Sequence, residues 1–315
     1  MPAVIAILLL AIAGCAKDAE PARPAGYWFT EPQDDDQRLE VLRRARGIDP
    51  CALVPRAELE KLGAVRSVVN DQPDSCEAGI GSAEYYKGIE LDWAVVVATV
   101  QKGQKVTEKT VDGLSVMVAD ERDALPKEQF EKLVERNCTV TGQFPAGAAL
   151  MLFVSTPLGT EPCPVGESIL RTAAAEWVRE PQRGTAPETA RTVLTSADPC
   201  DVLPALGITV NPADRRMRTC DFTYRGGEVS VRYEYEEQDM ILGDEPTTLP
   251  GSRHPVYKDV SSKGDFHFRT ATVGPAINPD EPGLKYGPRY PTVSVTARNP
   301  EDAETILTQV LTLFP

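Results

Sequence analysis

Apolar residues recur along the chain with two periods, and the switches between them mark out its elements. Ile89, Leu91, Trp93, Val95 and Val97 fall on one face of an alternating stretch, with Glu90, Asp92 and Ala94 on the other, the pattern of a half-buried strand. Leu114, Val116 and Val118 alternate likewise, and Ala148 to Val154 is a continuous apolar strand. Phe130, Leu133 and Val134 have helical spacing, and Ser168 to Val178 presents Ile169, Leu170, Ala173, Ala174 and Trp177 on one helix face. Further on, Cys220, Phe222 and Tyr224 alternate, Arg225-Gly226-Gly227 suits a hairpin turn, and Val229, Val231, Tyr233 and Tyr235 line the returning strand. Phe266 and Phe268 mark one more strand, Val293 and Val295 a last one. Asn299 or Pro300 then starts a helix carrying Ile306, Leu307, Val310 and Leu311.

The first residues follow another pattern. From Pro2 to Ala13 there is no charged side chain. The run of about 12 residues suits a signal-peptide core and falls short of the roughly 20 needed to span a bilayer. It ends in Ile12-Ala13-Gly14-Cys15, the form of a bacterial lipobox. Residues 1–14 are therefore expected to be removed, leaving Cys15 as a lipidated N-terminus on the extracytoplasmic face of the membrane. An ordinary signal peptide with an incidental Cys15 is the alternative.

With Cys15 set aside, six cysteines remain: Cys51, Cys76, Cys138, Cys163, Cys200 and Cys220. An even number outside the reducing cytosol reads as disulfides. An internal repeat orders them. Asp49-Pro50-Cys51-Ala52-Leu53-Val54-Pro55 recurs as Asp198-Pro199-Cys200-Asp201-Val202-Leu203-Pro204, followed by Leu-Gly at Leu62-Gly63 and at Leu206-Gly207. In each copy the next cysteine begins an expected strand. Cys51 is thus predicted to pair with Cys76 and Cys200 with Cys220, leaving Cys138 with Cys163. Asp49 and Pro50 make a helix start and Gly63 a stop.

The repeat sets the boundaries. Residues 15–46 read as a proline-containing, mobile tether whose end is a short helix, with Asp34 to Asp36 at its start and Arg43, Arg44 and Arg46 before Gly47. A first domain over 47–180, a linker over 181–194 and a second domain over 195–315 follow. The expected fold class is α+β: two tandem, disulfide-stapled domains, each an antiparallel sheet of about five strands with N- and C-terminal helices. The tandem Asp-Pro-Cys starts, the paired cysteines and the lipobox resemble actinobacterial lipoproteins of a family of unknown function, with relatives in mycobacteria and nocardiae. The resemblance covers both domains. It implies a membrane-tethered α+β protein, similar to extracellular sensor domains of mycobacterial serine/threonine kinases, and no catalytic residues. The second copy departs from the first in lacking counterparts of Cys138 and Cys163.

Charge and chemistry narrow the functions. A formal net charge of −14, with acid excess in both domains, suits neither nucleic acid nor anionic wall polymers. Asp120-Glu121-Arg122-Asp123 and the acidic run Glu234 to Asp239 lack the ligand spacing and central glycine of a calcium loop. No Cys-x-x-Cys occurs, so no metal site or cofactor is expected. Of the two histidines, His254 precedes Pro255 in a turn and His267 sits between Phe266 and Phe268, facing away from them beside Asp265 and Arg269. The first domain has no histidine, which excludes a Ser-His-Asp or Cys-His site there. Gly79-Ile80-Gly81 lacks the third glycine of a dinucleotide loop.

The expectation is a non-enzymatic binding or sensor protein at the cell envelope, held to membrane lipid through Cys15, with an unidentified envelope ligand or protein as partner. The alternative is a cell-wall hydrolase using paired carboxylates.

Overall fold

A computed structural model of the chain describes residues 26–84, 86–97, 105–241, 246–261, 264–278 and 287–315. Cys15, the apolar run before it and the start of the expected tether lie outside the described residues.

The polypeptide enters the fold earlier than predicted. A 3-10 turn at Tyr27–Phe29 precedes helix α1, Asp35–Gly47, where Asp34 accepts a hydrogen bond from the Gln37 amide at 2.8 Å as N-cap. The predicted short helix is there, but it is no part of a free tether. Trp28, Val41, Leu42 and Ala45 are buried in the first core. Trp28 donates to Glu180 at 3.0 Å, and the Arg44 guanidinium lies 3.8 Å over the Tyr27 ring. The apolar residues here are few, so the stretch reads as polar, yet those few share one face. The first domain therefore begins near Tyr27 rather than at residue 47.

The helix expected from Asp49 to Gly63 is two short turns, a 3-10 turn at Cys51–Leu53 and α2 at Arg56–Leu59. Pro55 separates them. It offers no N–H and holds Val54 extended at φ −119°, ψ 91°. The sheet then forms from β1 (Val65–Gln72), β2 (Ser75–Gly81), β3 (Gly88–Val97), β4 (Thr107–Val111), β5 (Leu114–Asp120), β6 (Glu135–Gln143) and β7 (Ala148–Pro157). Between β5 and β6 lie two single turns, α3 (Glu121–Ala124) and α4 (Lys127–Phe130). The helical spacing of Phe130, Leu133 and Val134 gives no longer helix, and Val134 is exposed. Helix α5, Pro162–Val178, starts six residues before the predicted Ser168, with Pro162 in its first turn.

The second domain repeats this plan. Asp198 accepts from the Cys200 amide at 2.8 Å and caps a 3-10 turn at Pro199–Val202. Helix α6, Leu203–Leu206, follows and ends on Gly207 at φ 66°. Its strands are β8 (Thr219–Tyr224), β9 (Gly227–Glu237), β10 (Thr247–Thr248), β11 (Pro255–Val260), β12 (His267–Thr272) and β13 (Arg289–Ala297), and α7 (Pro300–Leu311) closes it from its Asn299 cap. The predicted Arg225-Gly226 turn joins β8 to β9, both residues having positive φ.

The fold is thus α+β, with two antiparallel sheets of seven and six strands rather than about five each. Their orders are β1-β2-β3-β7-β6-β5-β4 and β10-β11-β12-β13-β9-β8. Aligning Cys76 of β2 with Cys220 of β8 matches every strand of the second sheet to one of the first, and the extra strand is β1. The duplication visible in two heptapeptides extends to the whole topology. Each C-terminal helix covers one sheet face over its own core.

All three predicted disulfides form: Cys51–Cys76, Cys138–Cys163 and Cys200–Cys220, each with Cα atoms 5.2 Å apart. The first and third tie the Asp-Pro-Cys turn to the matching strand of each repeat. The second fixes the start of α5 to β6. Closing loops of this length contributes about 3 kcal/mol each in the chain-entropy account.

One strand faces the other way from the predicted pattern. His267, Arg269 and Ala271 share the side of β12 covered by α7, where Arg269 reaches Glu304 at 3.2 Å, while Phe268 lies on the outer face. The aromatic pair marks the strand but not the core side.

Candidate functional site

The residues that carry chemistry fall in three places. The first is the boundary between the domains, where the linker is well packed. Buried Asp49 accepts hydrogen bonds from the amides of Cys51 at 3.1 Å, Ala52 at 3.3 Å and Ala186 at 2.9 Å, and from the Thr189 hydroxyl. The Asn70 carbonyl oxygen accepts from the Ala190 amide at 3.1 Å. Asp49 and Asn70 thereby clasp the linker to the first domain. Across the boundary, Arg46 pairs with Asp198 at 2.6 Å and donates to the carbonyls of Met217 and Arg216 at 3.1 and 2.8 Å. The Gln72 amide pairs with the Tyr235 backbone, accepting from N and donating to O at 3.1 Å each. Arg218 pairs with Asp74 at 2.7 Å.

Beside this boundary lies a group of carboxylates that the sequence did not single out. Burial pushes Asp74 up to about 6, against the pull of Arg218 and Arg183. Asp92, which is still exposed on the outer side of β3, is raised as well, by partial loss of solvent and then by Asp71, Glu77 and Asp74. Among the described residues no three His, Cys, Asp or Glu side chains are arranged to hold a metal ion.

The second place is a shallow groove of about 530 Å³ on the outer face of the second sheet, lined by Phe266 and Thr296 together with Asp221, Glu228 and Arg216. Its lining is mixed and open. The two histidines play other parts. The His254 ring bridges the carbonyl oxygens of Thr272 and Phe314, at 3.2 and 2.7 Å, tying the C-terminus to β12. His267 sits at the edge of the α7-covered face.

The third place is a cleft of about 370 Å³ in the first domain, between α5 and the β4–β5 hairpin. Its origin is local. Helix α5 is drawn close to β6 and β7 because Gly166 and Gly142 leave out side chains there. A Cβ on Gly166 would come within 2.8 Å of Val140, and one on Gly142 within 2.7 Å of Leu170. Between the helix and the hairpin, the small Ala174 and Ala175 leave a gap unfilled. Val111, Leu114 and Val116 form the sheet wall, Leu170 and Val178 complete the helix wall, and Phe29 closes one end. Phe29 is held edge-on to Phe144 at 5.6 Å, so the supposed tether supplies part of the site. Two charged residues stand at the rim, Asp112 in the hairpin turn and Arg171 on the helix. A mostly apolar concavity of this size with few polar groups is the usual form of a small-molecule site.

Sequence reasoning placed Leu114, Val116, Leu170 and Ala174 in a core, and each is buried. It did not show that the hairpin and helix stand apart at one end. The signal available was the alanine run Ala173 to Ala175, too small to fill a helix–sheet gap.

Neither a protein-family model nor a curated protein matches the chain. Among solved structures, DynU16, a protein from the dynemicin biosynthetic locus, aligns at 12% identity over 86% of this chain and 90% of its own, with a TM-score of 0.15. A likeness at that level carries no argument about fold or function.

Proposed function

We propose that the protein is a non-catalytic binding protein of the cell envelope, anchored through a lipid on Cys15, with the apolar cleft beneath α5 as its ligand site. The cleft carries this reading: it joins an apolar wall on three sides to a charged rim, with no nucleophile–base pair in its lining. The lipobox, the tandem Asp-Pro-Cys resemblance and three disulfides support the extracytoplasmic address. Twelve residues separate Cys15 from Phe29's neighbour Trp28. The cleft thus stays within roughly 50 Å of the bilayer even on a fully extended chain.

Two measurements test the reading. Cys15→Ser should abolish metabolic labelling with an alkynyl fatty acid and release the protein from the membrane fraction. Protein purified from its native envelope should show a non-covalent adduct in native mass spectra. That adduct should vanish in Val178→Asp, which puts a charge in the cleft. An adduct-free wild-type protein would sink the ligand-site assignment.

One observation favours a second reading, hydrolysis by paired carboxylates: Asp92 stands directly opposite Glu77 in the β2–β3 register, near enough to Asp71 and Asp74 for the group, after partial loss of solvent, to push its carboxyl up. On that reading, purified protein releases reducing ends from wall polysaccharide and Asp92→Asn stops it. Equal release by both proteins, or none by either, would dismiss it.

A further inference from the structure

Among the described residues, the rim of the cleft has one cation free to meet a ligand. Arg171 is exposed on α5 and has no ion-pair or hydrogen-bond partner among the described residues. The other charges along that helix are engaged: Glu167 pairs with Lys109 at 2.5 Å and Glu176 with Arg179 at 2.7 Å. Asp112 stands on the opposite lip, in the tight turn it forms with Gly113, where both residues have positive φ. Its charge confines an anionic group to the helix side. Below the rim the walls are apolar throughout.

We propose that the cleft binds a single acyl chain of a membrane-derived amphiphile, with the anionic head of that molecule at Arg171. The proposal names the ligand class of the binding-protein reading and rests on it. Three observations carry it. The cleft volume of about 370 Å³ accommodates about twelve methylenes if each takes the ~30 Å³ share of a water molecule. A partner helix does not fit, because one turn of helix 10 Å across and 5.4 Å long already fills about 420 Å³. Phe29, which closes one end of the cleft, also lies only fourteen residues from Cys15, so the anchor that holds the protein to the bilayer holds the cleft near a source of such amphiphiles.

The test is a titration of the full chain carrying Cys15→Ser with dansylaminoundecanoic acid, read by dansyl fluorescence, with palmitate and hexadecanol as competitors. Saturable one-to-one binding displaced by palmitate is expected. Ala175→Trp, at an exposed lining position, and Val178→Asp should each weaken it about ten-fold or more, with unchanged thermal unfolding. Arg171→Ala should weaken palmitate about ten-fold and leave hexadecanol unchanged. No saturable binding, binding indifferent to Ala175→Trp, or equal loss for palmitate and hexadecanol in Arg171→Ala would overturn the proposal. Binding by Cys15→Ser but not by the lipidated protein would also overturn it, by making the protein's own acyl chain the occupant. If the native envelope adduct is lost in Val178→Asp while no acyl probe binds, the acyl assignment fails and the binding-protein reading stands. If neither adduct nor probe binding is found, both fail.

Discussion

Asp49 and Asp198 occupy matching positions in the two repeats, and their surroundings give them different work. Both cap a 3-10 turn through the amide two residues on, at 3.1 and 2.8 Å. Beyond that, Asp49 holds the linker through Ala186 and Thr189, while Asp198 receives Arg46 from the first domain. Removing a buried acceptor leaves its donors unpaired, which costs more than the bond itself contributes. Asp49→Ala should therefore destabilise the protein by about 3 kcal/mol or more in urea unfolding, with Asp49→Asn recovering only part. Glu236 gives a prediction in pH. Burial, then Glu234, pushes its carboxyl up to about 7, against Thr292 and Arg232. An acid whose value is raised on folding prefers its protonated form in the native state. Its ionisation penalty is absent below the ordinary glutamate value near 4.5, grows as pH rises to about 7, and stays above that. Glu236→Gln should thus raise stability at pH 8 by on the order of 1 kcal/mol, allowing for partial solvent screening, and leave it unchanged at pH 4. Urea midpoints at the two pH values decide it.

At the scale of elements, α5 shows how two glycines set the height of a helix above its sheet. Gly142 lies under Leu170 and Leu114, both of which line the cleft. Gly142→Ala should push Leu170 towards the opening, cost about 1–3 kcal/mol, and narrow the cleft. Leu170→Ala in the same chain relieves the clash, so the double variant should be more stable than the sum of the single effects. Additive costs would show that the two residues are not in strained contact. Elements like this were legible where the period was strong: the Ile89–Val97 and Val229–Tyr235 strands, α5 and α7 all appear where alternation or helical spacing put them. They were illegible where few residues carry the signal. Strand β4 reads Thr-Glu-Lys-Thr-Val, and β10 has two threonines, so the sheets came out wider than expected. Pro55 broke a helix whose start and stop signals were both present. The candidate site shared this fate. Its walls were correctly taken as apolar faces, but the gap between them depends on where a helix ends relative to a hairpin, and no single residue encodes that.

At the scale of the whole molecule, the boundary between the domains is built from buried polar contacts that neither domain satisfies alone. Arg46 sits at 6% side-chain exposure, with three partners in the second domain, and Met217 from that domain packs into the first core. A residue expected to end a tether thus fastens the two repeats together. Arg46→Ala strands two carbonyls in a site largely shut off from water and leaves Asp198 to Arg215 at 3.4 Å and the Cys200 amide at 2.8 Å. The cost should be about 2–4 kcal/mol, mostly from the two buried acceptors left unpaired. The same change should uncouple the repeats, and the chain carries a built-in probe of this. Its three tryptophans, Trp28, Trp93 and Trp177, are all in the first core, whereas far-ultraviolet circular dichroism reports both sheets. In the wild-type protein the two signals should melt together, since coincident transitions mark a single cooperative unit. In Arg46→Ala, and more clearly with Arg218→Ala added, they should separate, because Arg218 also bridges the boundary through Asp74. A wild-type protein whose tryptophan and dichroism curves already diverge would mean that the domains fold independently and that the Arg46 contact only sets their orientation.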